Sequence, residues 1–344
     1  MPSMLFAGDR LRRCLGTLLA WGVGLGLIAA LIVYQDEVDV LGALVVAGWW
    51  FPVFFSSYAG TLLLDSLGWR AVISNVTHVG LTPLVRSRWV GVSINALLPA
   101  AQIGGEVVRA HLLHRSGLRG HVAAASVIVD LTVGLLMQVT FALIGLMLLL
   151  MALDHDEKLI PLGLGLALFS SLILVFAALQ RRGLVTLPID LLERFVKAPI
   201  WRQLIDNAGK LDQQIRSSYR ETGWLLVCAC WRLLGWLWPS LEIWLLFWLL
   251  GHPISLAEAV ILEAIGQIVK TAGFSIPGGL GVQEGGVMLA ASWLTIPVNL
   301  ALAAMLIRRI RDFVCNLIGL VVWTMLEAKI GQQIKLQHGL NERC

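Results

Sequence analysis

The stretch 270–288, KTAGFSIPGGLGVQEGGVM, interrupts an apolar region with a lysine, a glutamate, a proline and six glycines. No uniform hydrocarbon-embedded helix accounts for it. Pro277 removes a backbone donor, and Gly278, Gly279 and Gly281 loosen the chain. At membrane depth such backbone is tolerated only where protein buries it or where it lines a watery cavity. A second copy lies upstream. Leu98 and Pro99 are followed by Gln102, Gly104, Gly105 and Glu106, as Ile276 and Pro277 are followed by Gln283 and Glu284. In both, a glutamate stands seven positions after the proline, and the copies are 178 residues apart. This predicts two interrupted helices in two related halves that meet at one site. The alternative is coincidence in a glycine-rich chain.

Composition fixes the class. The 344 residues are 58% hydrophobic and 14% charged, with mean hydropathy +0.80. Several apolar runs exceed the ~20 residues needed to cross a bilayer. The expectation is an all-α polytopic integral membrane protein. The first apolar run has no small-residue cleavage site, so no cleavable signal peptide is expected. The five cysteines lack zinc-ligand spacing, and Cys228 and Cys230 read as small hydrophobes in an apolar span. No Walker loop, nucleotide fingerprint or Ser-His-Asp grouping occurs. His111 and His114 read as part of an interfacial basic patch rather than as metal ligands. No metal, cofactor or nucleic-acid partner is expected.

Charge asymmetry predicts topology. Arg10, Arg12 and Arg13 precede the first span, about 15–33, and Asp36, Glu37 and Asp39 follow it, which places the N-terminus in the cytoplasm. A second span covers about 40–64. Basic residues flank the first break on both sides, so a re-entrant hairpin at about 86–115 enters and leaves on the cytoplasmic face. Residues 122–153 and 159–179 read as spans joined by an acidic loop, completing a first half over 1–180. Residues 181–221 form a cytoplasmic amphipathic linker, with Leu191, Leu192, Phe195, Leu211 and Ile215 on apolar faces. The second half covers 222–330. It holds a span at about 224–250 bearing Arg232 and Glu242, a second hairpin at about 255–307, and a last span at about 312–326. A cytoplasmic tail, 331–344, follows. This parity makes the halves inverted. Leu256 to Ser275 as a full span is the alternative.

Ionisable residues inside a membrane are functional candidates by default. Glu106 and Glu284 lead as proton carriers or gates. Asp130 and Arg308 each lie 24 residues after those glutamates, and either pair across the pseudo-twofold or sit near opposite interfaces. Arg308, Arg309 and Arg311 fall toward the periplasm against the positive-inside rule. They read either as an anionic-headgroup site or as an error in that topology. Arg109, three residues after Glu106, is placed to neutralise it or to hold a headgroup. Glu284 needs protonation, or pairing with Lys270 or an arginine. Asn95, Gln102, Gln267 and Gln283 either line the same cavity or bond between helices.

The segments INALLPAAQIGGEVVRAHLL, ASVIVDLTVGLL, IPGGLGVQEGG and RRIRDF resemble the transmembrane region of lysylphosphatidylglycerol synthases, the flippase-like family, and its hopanoid-biosynthesis-associated branch in particular. The resemblance runs from about residue 13 to 330. It implies lipid translocation in a bacterial inner membrane, of a hopanoid or another polar-headgroup lipid. The synthase domain of the two-part relatives is missing, so aminoacyl transfer is not implied. The alternatives are an intramembrane lipid-modifying enzyme and a non-catalytic partner of lipid-biosynthesis enzymes.

Overall fold

The computed structural model describes residues 48–74, 76–98, 104–153, 208–273 and 276–341, with isolated positions between 22 and 42 and at 171. Among these residues every regular element is helical. The first series is α1 (Phe51–Ser74), α2 (Leu81–Leu97), α3 (Gly104–Arg115) and α4 (Gly120–Ala152). After the connecting helix α5 (Ala208–Arg220) comes a second series: α6 (Thr222–Leu249), α7 (Leu256–Ala272), α8 (Val282–Trp293) and α9 (Val298–Asn341). The hairpin arms match in length, 17 residues for α2 and α7 and 12 for α3 and α8.

Those lengths follow from local chemistry. Ser255 and Glu258 form a reciprocal capping box that starts α7. The break after α7 is a 3₁₀ turn at Pro277–Gly279, where Gly278, Gly279 and Gly281 take φ of 62°, 66° and 77°. Only glycine adopts such angles cheaply. At 1.5 Å per residue, arms of 17 and 12 residues measure ~26 and ~18 Å, both short of a ~30 Å hydrocarbon core.

The series interlock. Corresponding helices α1 and α6 pack antiparallel: Ser57 donates to Glu242, Asp65 meets Arg232, and Gly68 lies against Cys228. Each first hairpin arm leaves its own half and packs on the last long helix of the other. Gln138 of α4 donates to Thr271 of α7 (2.8 Å), and Trp89 of α2 donates to the Cys315 carbonyl of α9 (2.9 Å). Within the first hairpin the arms nearly touch. A Cβ on Gly105 would lie 2.1 Å from the Gly91 carbonyl oxygen, so only glycine fits.

Three expectations change. The last span is part of a 44-residue helix that begins at Val298, not near Asp312. The second hairpin ends at Trp293 rather than near 307, because the turn 294–297 closes it before the arginines. The second span begins at Phe51 and runs on to Ser74. Of the linker, α5 is described, and Leu211 and Ile215 bury against Ala124 and Ala125 of α4 as an amphipathic helix should. Leu191, Leu192 and Phe195 lie outside the described residues. A stripe at four-residue spacing on α9, Phe313, Leu317, Val321 and Met325, is exposed, as is Leu143, Met147 and Met151 on α4. Apolar surface of this kind suits lipid.

Candidate functional site

The buried charges stand on the helices that surround the two breaks. Arg308 stands ten residues into α9 and Asp130 ten residues into α4, or ~15 Å along each axis, half the hydrocarbon thickness. A charge there costs ~2.5–3.5 kcal/mol on insertion scales unless paired.

In the first half Asp130 is fully buried and accepts from Arg88 (2.5 Å) and Arg109 (2.7 Å). Arg109 also pairs with Glu106 and stacks over Trp69 at 4.3 Å. Arg232 of α6 binds Asp65 at 2.6 Å and approaches Asp130 at 3.9 Å. In the second half Arg308 donates to Glu263 (2.6 Å) and lies 3.9 Å from Glu242. Arg311 pairs with Glu242 and with Asp312. Arg309 holds Glu284 Oε1 through Nε (2.7 Å) and Nη2 (2.5 Å), while its Nη1 donates to the Gly278 carbonyl (2.8 Å). One guanidinium thus ties α9 to both sides of the break. Oε2 of Glu284 is buried with no partner.

These networks correct the expected pairing of Asp130 with Arg308. Each finds its main partner in its own half, because α2 and α7 present an arginine and a glutamate closer by. Glu106 and Arg109 do pair on one helical face, and Glu284 is paired with an arginine. Asn95 accepts from the Gly105 N–H (2.8 Å) and so caps α3. Gln267 donates to Glu263, and Gln283 is buried beside Gly266. Gly104 opens α3, while Pro99 and Gln102 lie outside the described residues.

Between the halves lies a cavity of about 530 Å³. Its polar lining comes from Lys270, Arg308, Arg309, Arg311 and Asp312 with Asp65, Glu242, Glu263, Tyr58 and Asn316. Leu62, Val92, Leu97, Leu280, Ile310 and Phe313 are among its apolar lining residues. Glu106, Arg109, Asp130, Asn95, Gln283 and Glu284 are not in the lining. Sequence reasoning passed over Arg88, Glu263 and Asp65. The signal existed, but it needs a second offset. α2 ends at Leu97 and α3 begins at Gly104, while α7 ends at Ala272 and α8 begins at Val282, an interval three residues longer. The first arms are therefore related by 175 positions, which aligns Arg88 with Glu263 and Asn95 with Lys270, and only the later elements by 178.

A UPF0104 membrane protein of Methanothermobacter thermautotrophicus is 26% identical over 274 residues, covering 73% of this chain and 78% of the relative. No solved structure gives a significant match. The family described as lysylphosphatidylglycerol synthase TM region matches residues 18–319. The chain, a multi-pass helical membrane protein, belongs to that family.

Proposed function

We propose that this protein moves a polar-headgroup lipid between leaflets of the bacterial inner membrane, its two series acting as inverted halves with both termini cytoplasmic. The observation that carries the reading is the cavity between the two series, which is lined by both charged and apolar side chains. A headgroup needs the charged residues and acyl chains the apolar ones. The antiparallel packing of α1 on α6 is what an inverted repeat requires, since a twofold in the membrane plane reverses every helix. The short hairpin arms fit re-entrant segments. Glu284 and Arg309 serve as the gate. Neutralising Glu284 weakens its hold on Arg309 and loosens α8 from α9.

The test is reconstitution in liposomes with candidate lipids, hopanoids among them because of the sequence resemblance, and a leaflet-specific probe. Protein-dependent exchange of unchanged lipid is expected, faster at lower pH. A covalent change in the lipid would make the protein an enzyme instead. No exchange with any lipid class would leave the partner role in a lipid-synthesis complex.

A further inference from the structure

Charge accounting around the cavity leaves two residues over. Arg308, Arg309 and Arg311 are three cations. The carboxylates paired with them are four: Glu242, Glu263, Glu284 and Asp312. Arg311 is shared by Glu242 and Asp312, and Asp312 is the most exposed of the four, its side chain 34% accessible. Counted with Lys270, which lines the same cavity, four cations face four carboxylates, so the set balances overall and only the contacts are unevenly shared. Lys270 is the opposite case. Among the described residues lining the cavity it is the one cation with neither a carboxylate within ion-pair distance nor a hydrogen-bond acceptor.

The repeat shows that this is not a packing requirement. The equivalent of Lys270 is Asn95, whose side chain is spent on the Gly105 N–H. Lys270 lays its stem over Gly279, where a Cβ would come within 2.7 Å of its Cγ, and it is among the residues that line the cavity. An ammonium with no partner in contact is costly away from water, and so is a carboxylate that must share its one contacting arginine. A ligand with a single sign of charge relieves one and aggravates the other.

We infer that the cavity takes a zwitterionic lipid headgroup, its anionic group on Lys270 and its cationic group on Asp312. This rests on the translocator reading and names the substrate class for it. The apolar lining residues Leu97, Leu280 and Phe313 select a lipid over a soluble zwitterion.

The experiment measures binding to the purified full-length protein of three lipids: phosphatidylethanolamine, which pairs a phosphate with an ammonium; anionic phosphatidylglycerol; and an uncharged galactosyl diacylglycerol. Phosphatidylethanolamine binds about tenfold or more tighter than either of the others, the scale of one charge-assisted contact. Lys270→Met keeps the apolar stem and loses that preference, while Lys270→Arg keeps it. Asp312→Asn shifts preference to phosphatidylglycerol. Excess soluble phosphoethanolamine fails to displace the lipid. Equal binding of the three lipids by the unmodified protein overturns the inference whether or not the variants fold. A preference surviving in both Lys270→Met and Asp312→Asn also overturns it, and displacement by phosphoethanolamine at comparable concentration overturns the lipid part. Leaflet exchange measured alongside separates the two claims. Exchange without charge selectivity sinks this inference and leaves the translocator. Selective binding without exchange does the reverse.

Discussion

The two halves of the molecule hold the same buried ion pair with its signs exchanged. In the first, α2 supplies Arg88 and α4 supplies Asp130; in the second, α7 supplies Glu263 and α9 supplies Arg308, at 2.5 and 2.6 Å. A charge buried among helices must be neutralised, but either helix can carry either sign. The geometry is therefore common to the halves while the polarity is free. The surroundings differ more. Asp130 sits among Arg88, Arg109 and Arg232, all of them held by acids of the same network, so the first network closes on itself. The second network lines the cavity and leaves Lys270 over. One half is built as a clamp and the other as a site.

The comparison breaks most readily at Asp130. Asp130→Asn strands Arg88 and Arg109 without their carboxylate, and removing one member of a buried pair costs ~3–5 kcal/mol. The expected result is a large fall in thermal midpoint, or loss of folded protein in detergent; a midpoint within a degree or two of the unmodified protein would show that the first network is not a clamp.

Arg308→Gln should cost somewhat less, ~3 kcal/mol, because Glu263 keeps the bond from Gln267. The double exchange Glu263→Arg with Arg308→Glu should regain part of that loss, since it copies the polarity of the first half. The matching exchange of Arg88 and Asp130 should regain less, because it turns an arginine toward Arg109. Equal rescue in the two halves would mean that the surroundings are equivalent after all.

Asn95→Ala removes the cap on Gly105 and should lower stability by ~1–2 kcal/mol without altering lipid selectivity. A change in selectivity would place Asn95 in the site alongside Lys270.

Glu284→Gln should cost less than Asp130→Asn, because Glu284 holds one arginine rather than two, and that arginine is part-exposed and keeps its bond to the Gly278 carbonyl. Its larger effect belongs to transport. Leaflet exchange should slow ~10²-fold or more and lose its pH dependence, since glutamine cannot exchange a proton and one proton-transfer group is worth at least ~10² in rate where it limits a step. Exchange at the unmodified rate and pH profile would make the Glu284–Arg309 link purely structural.

The membrane class, the all-helical fold, the two breaks and the family were readable from the chain because each is written in local composition: apolar runs, proline and glycine clusters, and motifs a few residues long. Glu106 with Arg109 was legible for the same reason, as neighbours one turn apart. Asp130 and Arg308 were legible as buried charges but not as to partner. Pairing is decided through space, by how α2 reaches across to α9 and α7 to α4, and a three-residue difference in one loop was enough to hide Arg88 opposite Glu263. The tertiary structure alone decided which carboxylate each arginine holds, and hence that Lys270 lines the cavity without one. Sequence determines which charges must be buried; only packing sets the distances that let them cancel.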